Sequence, residues 1–120
     1  MIKMEHQMEH QMKLFPGGFY GIKEGKQLIE VRLYDEKRRT LNIGDTITFS
    51  KLPELKETIR TEVLSLLRYR SFQELFKDIN LEQWNAKDWT VEQCVQQCRK
   101  YYSKEEEKRY GVLGIKIRLI

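Results

Sequence analysis

Hydrophobic and polar residues alternate most clearly in residues 25–39, GKQLIEVRLYDEKRR. Ile29, Val31 and Leu33 interleave with Glu30, Arg32 and Tyr34, the period of two expected of a half-buried strand. The same period returns in Thr46-Ile47-Thr48-Phe49. It returns again over residues 58–70, where Ile59, Thr61, Val63, Ser65, Leu67 and Tyr69 share one parity. A bend is expected there at Ser65; the central part, 63–67, also fits a helix on pattern alone. Residues 112–120 place Leu113, Ile115, Ile117 and Leu119 on one side, with Lys116 and Arg118 on the other. Strands are therefore expected over 27–34, 46–50, 58–70 and 112–120, within one curved sheet.

Helical segments announce themselves by their ends. Pro16 suits a first helical position, and Phe19, Ile22 and Lys23 fit a short helix closed by Gly25. Three stretches have the form of a capping box: Ser71 to Glu74, Thr90 to Gln93 and Ser103 to Glu106. The second opens the longest helix, over 91–101, with Val91, Cys94, Val95, Cys98 and Tyr102 as its apolar stripe. Residues 35–40 are too charged for a core strand, Gly44-Asp45 marks a tight turn, and Pro53 makes 51–55 a loop. Short strands with segregated helices give an α+β class.

The 120 residues form one domain with one modest core. Residues 1–11, with the tetrad Met-Glu-His-Gln repeated, are expected to be a loosely ordered extension. His6 and His10 lie four apart but have no evident third ligand, so neither a metal nor another cofactor is expected. No apolar run is long enough to span a membrane, and the N-terminus lacks a secretory h-region, which makes the cytoplasm the expected location. Net charge of +4 leans weakly toward polyanionic partners. Cys94 and Cys98, four apart, suit neither a redox motif nor a disulfide and are expected to be buried free thiols.

Candidate chemistry gathers on the polar face of the 27–34 strand. Arg32 offers a planar fork to a phosphate or base edge, and Glu30 can accept from an exocyclic amine. The plainer alternative is a surface ion pair, worth about 0–1 kcal/mol. Lys37, Arg38 and Arg39, beside Lys23 and Lys26, could form a basic rim, or a solvated loop balanced by Asp35 and Glu36. Phe15, Phe19, Tyr20 and Tyr34 are aromatics near the strand, with core packing the default for the two phenylalanines. Trp84 or Trp89 could lid a cleft or bury the rim of a small barrel. Gly17-Gly18 lacks the spacing of a phosphate loop, and no G-x-S-x-G is present.

The stretch GKQLIEVRLYDEKRRTLNIGDTITF resembles the signature of the ASCH domain, a branch of the PUA-like superfamily. Gly25, Glu30 and Arg32 fall on its G-x-K-x-x-E-x-R motif, with Gln27 at the lysine position and Lys26 one residue early. Leu41-Asn42-Ile43-Gly44-Asp45 matches the turn that follows, and the likeness continues through Ser71 to Leu75, Tyr101 to Ser103 and Tyr110 to Val112. The resemblance implies a partly open β-barrel with helices flanking its opening and a first strand running into Met12-Lys13-Leu14. It implies binding of RNA or a nucleoside- or nucleotide-like ligand in a cleft beside the Glu30/Arg32 strand. The ligand-facing residues would be Gln27, Glu30, Arg32 and Tyr34, with Lys23, Arg38 and Arg39 at the rim. It also implies an alternative, an amidohydrolase that removes the acetyl group from acetylated cytidine. That chemistry uses a motif lysine and threonine, whose positions here hold Gln27 and Glu30, so the candidate catalytic groups are Glu30 and Lys26. A protein-interaction adaptor is a third possibility.

Overall fold

The computed structural model of the chain describes residues 7–120. Five strands form one mixed sheet that curls into a half-barrel: β1 (Glu9–Leu14), β2 (Ile29–Leu33), β3 (Thr46–Lys51), β4 (Thr58–Tyr69) and β5 (Val112–Leu119). Four helices accompany it: α1 (Pro16–Lys23), α2 (Phe72–Asp78), α3 (Val91–Arg99) and α4 (Lys104–Tyr110). The spatial order is β1-β3-β4-β5-β2, so β1 and β2 are the two edges of the sheet. β1 pairs parallel with β3, and every other pairing is antiparallel. None of the helices is long and apolar enough to cross a membrane.

The alternation seen in the sequence sorts side chains onto the two faces. Met12, Ile47, Phe49, Val63, Leu113 and Ile115 fill the concave face together with Phe19 and Ile22 of α1. Ile29, Val31 and Leu33 point the other way, against Phe72, Leu75 and Phe76 of α2 and Cys94 and Cys98 of α3. Each fully buried Leu, Ile or Phe contributes on the order of 1.5–3 kcal/mol. Both cysteines are buried free thiols, as their spacing suggests.

Two expectations about strands need correction. β1 begins at Glu9, so residues 9–11 belong to the sheet rather than to a loose extension. His10, Met12 and Leu14 supply the buried parity that draws them in. In β4 the pairing with β5 shifts between Val63 and Ser65, a bulge that leaves Leu64 extra. Ile59 and Val63 therefore share the concave face with Leu66, whereas Leu67 and Tyr69 pack on the opposite core. One parity becomes two because a single inserted residue reverses every side chain beyond it.

The turns are held by specific side chains. Thr90 and Ser103 each complete a reciprocal capping box. Ser71 caps the Glu74 amide, but the Glu74 carboxylate accepts from the Arg70 amide instead of reaching back to Ser71, so this box is half made. Asp45, 1% exposed, accepts from the amides of Met8 and Asn42 and lies 2.8 Å from His10 Nε2. It fastens the start of β1 to the turn before β3. His10 is thus a structural partner of Asp45. His6 lies outside the described residues, and among those described no three potential ligands converge on a metal position.

Candidate functional site

The site starts where α1 ends. Gly25 takes φ +75°, and the amides of Lys26 and Gln27 both donate to the Gly21 carbonyl, at 2.8 and 2.9 Å. The chain is thereby swung onto the sheet edge. Gln27 then bridges to Trp84, the Leu28 amide donates to the Gln83 carbonyl at 2.7 Å, and the Ile117 amide donates to the Leu28 carbonyl at 3.0 Å. The packing at residue 21 is close: a Cβ there would stand 3.2 Å from Gln27 Oε1, which would have to shift by a few tenths of an ångström.

Gln27, Glu30 and Arg32 form one buried polar chain. Gln27 Nε2 donates to the Ile29 carbonyl at 3.0 Å and to Glu30 Oε1 at 3.3 Å. Arg32 Nε donates to Glu30 Oε2 at 2.6 Å. Arg32 Nη2 reaches across to the Lys13 carbonyl on β1, also at 2.6 Å. Side-chain exposure is only 8% for Glu30 and 12% for Arg32, so this is not a solvated surface pair. Burial pulls the Arg32 pKa down, but the Glu30 charge, aided by Tyr102 and Asp35, more than offsets it, and the guanidinium is held even more firmly charged than usual. Bonds to described residues use Nε and Nη2, and Nη1 has no partner among them.

Beside this chain opens a cleft of about 530 Å³. One wall is Leu14, Phe15 and the Gly17-Gly18 start of α1; another is the Trp84-Asn85-Ala86 segment with Trp89. The C-terminal end of α3 closes it with Gln97, Cys98, Tyr101 and Tyr102. Phe15 and Tyr101, about half exposed, stack across its mouth with ring centroids 5.3 Å apart. Trp84 lies 4.6 Å from Phe76 and 6.3 Å from Trp89, centroid to centroid, joining the cleft wall to the core beneath α2. Burial raises the Tyr102 hydroxyl pKa, with the Arg32 charge opposing and the Glu30 charge reinforcing the shift. Burial and the Glu30 charge likewise raise the Cys98 thiol, which stays protonated and poorly nucleophilic.

Of the residues singled out in the sequence, the cleft brings together Gln27, Glu30 and Arg32, with Phe15, Trp84 and Trp89. It leaves the others outside. Tyr34 lies just past the end of β2, its ring under the guanidinium groups of Arg39 and Arg68, at 4.7 and 4.1 Å. Lys23 pairs with Glu57 at 3.0 Å, and Lys26, 64% exposed, pairs with Glu24 at 3.3 Å. Arg38 is held by Asp35 at 3.1 Å. None of Lys23, Lys26, Arg38 and Arg39, the expected rim, lines the cleft, and the first three are each paired with a carboxylate. Lys37 does share the Arg32 neighbourhood: burial and the charges of Arg38, Arg32 and Lys13 lower its pKa. Phe19 is core and Tyr20 donates to Glu57 away from the cleft, whereas Phe15 leaves the core for the mouth. Lys13, Asn85, Gln97, Tyr101 and Tyr102 were not legible as cleft residues. The pairs Gln97/Tyr101 and Cys98/Tyr102, each four apart across the end of α3, were the available signal.

Comparison with known proteins agrees with this fold. The model of the ASCH domain family matches residues 12–120. The crystal structure of hypothetical protein PH0355 superposes with a TM-score of 0.84 at 36% identity, covering 94% of this chain and 100% of that one. The solution structure of protein PF0455 from Pyrococcus furiosus gives 0.74 at 36% identity, covering 94% and 98%. The ASCH crystal structure from Zymomonas mobilis gives 0.63 at 16% identity, covering 92% of this chain and 66% of that one, a likeness of fold. No curated protein matches the sequence.

Proposed function

We propose that this chain, which belongs to the ASCH domain family, binds a nucleoside- or nucleotide-like ligand, free or within RNA, in the cleft beside β2. The observation that carries the reading is the buried Arg32. Glu30 and the Lys13 carbonyl fix its plane at the cleft wall, so the fork meets a ligand without first being ordered. A nucleobase offers what such a wall can use: a flat π-face for the Phe15/Tyr101 and Trp89 rings, and an edge of acceptors and amines for Arg32, Glu30 and Asn85. The cavity, at about 530 Å³, lies within the roughly 300–1,000 Å³ range of small-ligand sites.

Catalysis of amide hydrolysis is the weaker reading. Lys26 points to solvent beside Glu24, outside the cleft. Gln27 has no ionisable group to shuttle a proton at neutral pH. No observed contact favours the adaptor reading.

A thermal-shift and calorimetric screen of nucleosides, nucleotides and short RNAs against the natural chain tests the proposal. At least one of them should raise the melting temperature in proportion to the logarithm of its concentration. That response should vanish in Glu30→Leu/Arg32→Met. No response from any member of the screen, or a response indifferent to that double substitution, would reject the cleft as a nucleoside site.

A further inference from the structure

The chain has nine arginines. Five hold a carboxylate within 4 Å: Arg32, Arg38, Arg60, Arg99 and Arg118. The other four, Arg39, Arg68, Arg70 and Arg109, have no such partner among the described residues. They are far apart in sequence, on the loop after β2, at the end of β4 and on α4, yet they converge. Arg68, Arg70 and Arg109 line a second cavity of about 530 Å³ with Tyr34, Tyr69 and Tyr110. Arg39 reaches the same place by lying over Tyr34.

Three of the four arginines are held by aromatic rings and not by a carboxylate. The guanidinium groups of Arg39 and Arg68 both lie over the Tyr34 ring, and that of Arg109 lies 5.2 Å from the Tyr110 ring. Two carboxylates stand beside the groove, Asp78 accepting from the Tyr69 hydroxyl at 2.5 Å and Glu74 from the Arg70 amide at 3.2 Å, and the four arginines outnumber them. Lys108 adds a further cation to the lining. A cavity with four guanidinium groups that lack a carboxylate partner carries an excess of positive charge and offers a planar fork geometry suited to phosphate.

We infer that this arginine–tyrosine groove is a second binding site, one that takes the phosphodiester backbone of single-stranded RNA. Tyr34 directly follows the end of β2, two residues after Arg32, a span of about 7 Å along extended backbone. A chain with one nucleoside in the cleft can therefore run its neighbouring phosphates over Lys37 and into the groove. An acidic protein segment would meet the charge but gain nothing from Tyr69 and Tyr110, whose rings suit stacked bases. The groove's charge does not depend on what the cleft holds.

The test is fluorescence anisotropy of a labelled ten-nucleotide single-stranded RNA, titrated across salt concentrations. Each phosphate neutralised contributes about −0.7 to the slope of log affinity against log salt. Arg68→Gln/Arg70→Gln should lower affinity roughly tenfold or more and flatten the slope by about 1.4, two phosphates' worth. Both residues are exposed, and circular dichroism checks that the variant is folded. Arg68→Lys/Arg70→Lys should restore most of the slope. An uncharged nucleoside should bind the Gln variant as it binds the natural chain, so failure of the groove and failure of the cleft are told apart. RNA affinity and slope unchanged in the Gln variant would overturn the groove as its site. So would absence of RNA binding, or displacement of the RNA by a ten-residue polyglutamate at equal concentration.

Discussion

Arg32 on one edge strand donates to the carbonyl of Lys13 on the other, 2.6 Å away. Since β1 and β2 stand at opposite ends of the strand order, this bond clasps the open seam of the half-barrel. The same guanidinium lines the cleft, so one side chain joins stability to recognition. Truncating it should expose the conflict. Arg32→Ala strands Glu30, 6% exposed, as a buried unpaired carboxylate and should cost about 3–5 kcal/mol in urea denaturation. Glu30→Leu/Arg32→Met removes both charges and should recover most of that loss while abolishing ligand binding. A double variant as unstable as the single one would show that the clasp to Lys13, rather than the charge pair, dominates.

Phe15 and Tyr101 give the opposite separation. The two residues are 54% and 50% exposed, so little core is lost when either is cut back. Phe15→Ala should change unfolding free energy by less than about 1 kcal/mol. It should weaken the cleft ligand by about 1–3 kcal/mol, mainly through faster dissociation, if the ring stacks on a base. Stopped-flow dissociation against denaturant melts distinguishes the two effects.

Asp45 predicts a specific acid response. Burial would raise its pKa, but hydrogen bonds from the Met8 amide, His10 and the Asn42 amide outweigh burial and hold it below the ordinary aspartate value of 3.8. A depressed folded-state pKa contributes stability that is complete above the unfolded value, near 4, and is lost as pH falls through the lower folded value. Asp45→Asn should therefore be less stable at pH 7, by about 1–3 kcal/mol, because an amide replaces an acceptor of three bonds. Its stability should also fall less steeply between pH 4 and pH 2.5. Parallel denaturation curves for both proteins at those pH values check the sign.

Most of the sheet was legible because burial on alternate residues is written directly in Ile29/Val31/Leu33 and in Leu113/Ile115/Ile117. The ASCH motif likewise located Gln27, Glu30 and Arg32, which do meet in one cleft. What escaped were features set by tertiary pairing. The bulge at Leu64 carries no composition signal, so the two faces of β4 read as one. Asp45 looked like an ordinary turn residue; only the proximity of His10 and the Met8 amide makes it a buried tie. Lys26 sat one residue from the motif, yet the turn at Gly25 sends it to solvent. The four unpaired arginines come from three elements, and only folding brings them together.

The remaining prediction concerns chemistry at the motif strand. We expect acetylated cytidine to be bound without measurable release of acetate. Hydrolysis of its amide needs a group that can take a proton at neutral pH, typically worth about 100- to 10,000-fold in rate. Gln27 cannot supply one, and Lys26 lies with Glu24 on the far side of the turn. Glu30 is already committed as acceptor to Gln27 and Arg32. Gln27→Lys alone should stay inactive, because an ammonium placed 3.3 Å from Glu30 would be paired and held protonated. Adding Glu30→Thr removes that counter-charge and supplies a hydroxyl, but it also frees Arg32 from its partner. The double variant should therefore gain slow turnover while losing stability by about 3–5 kcal/mol, which a melt recorded beside the acetate assay would reveal. Rapid acetate release by the natural chain would overturn this assignment and place a base in the cleft that none of Gln27, Glu30 and Lys26 accounts for.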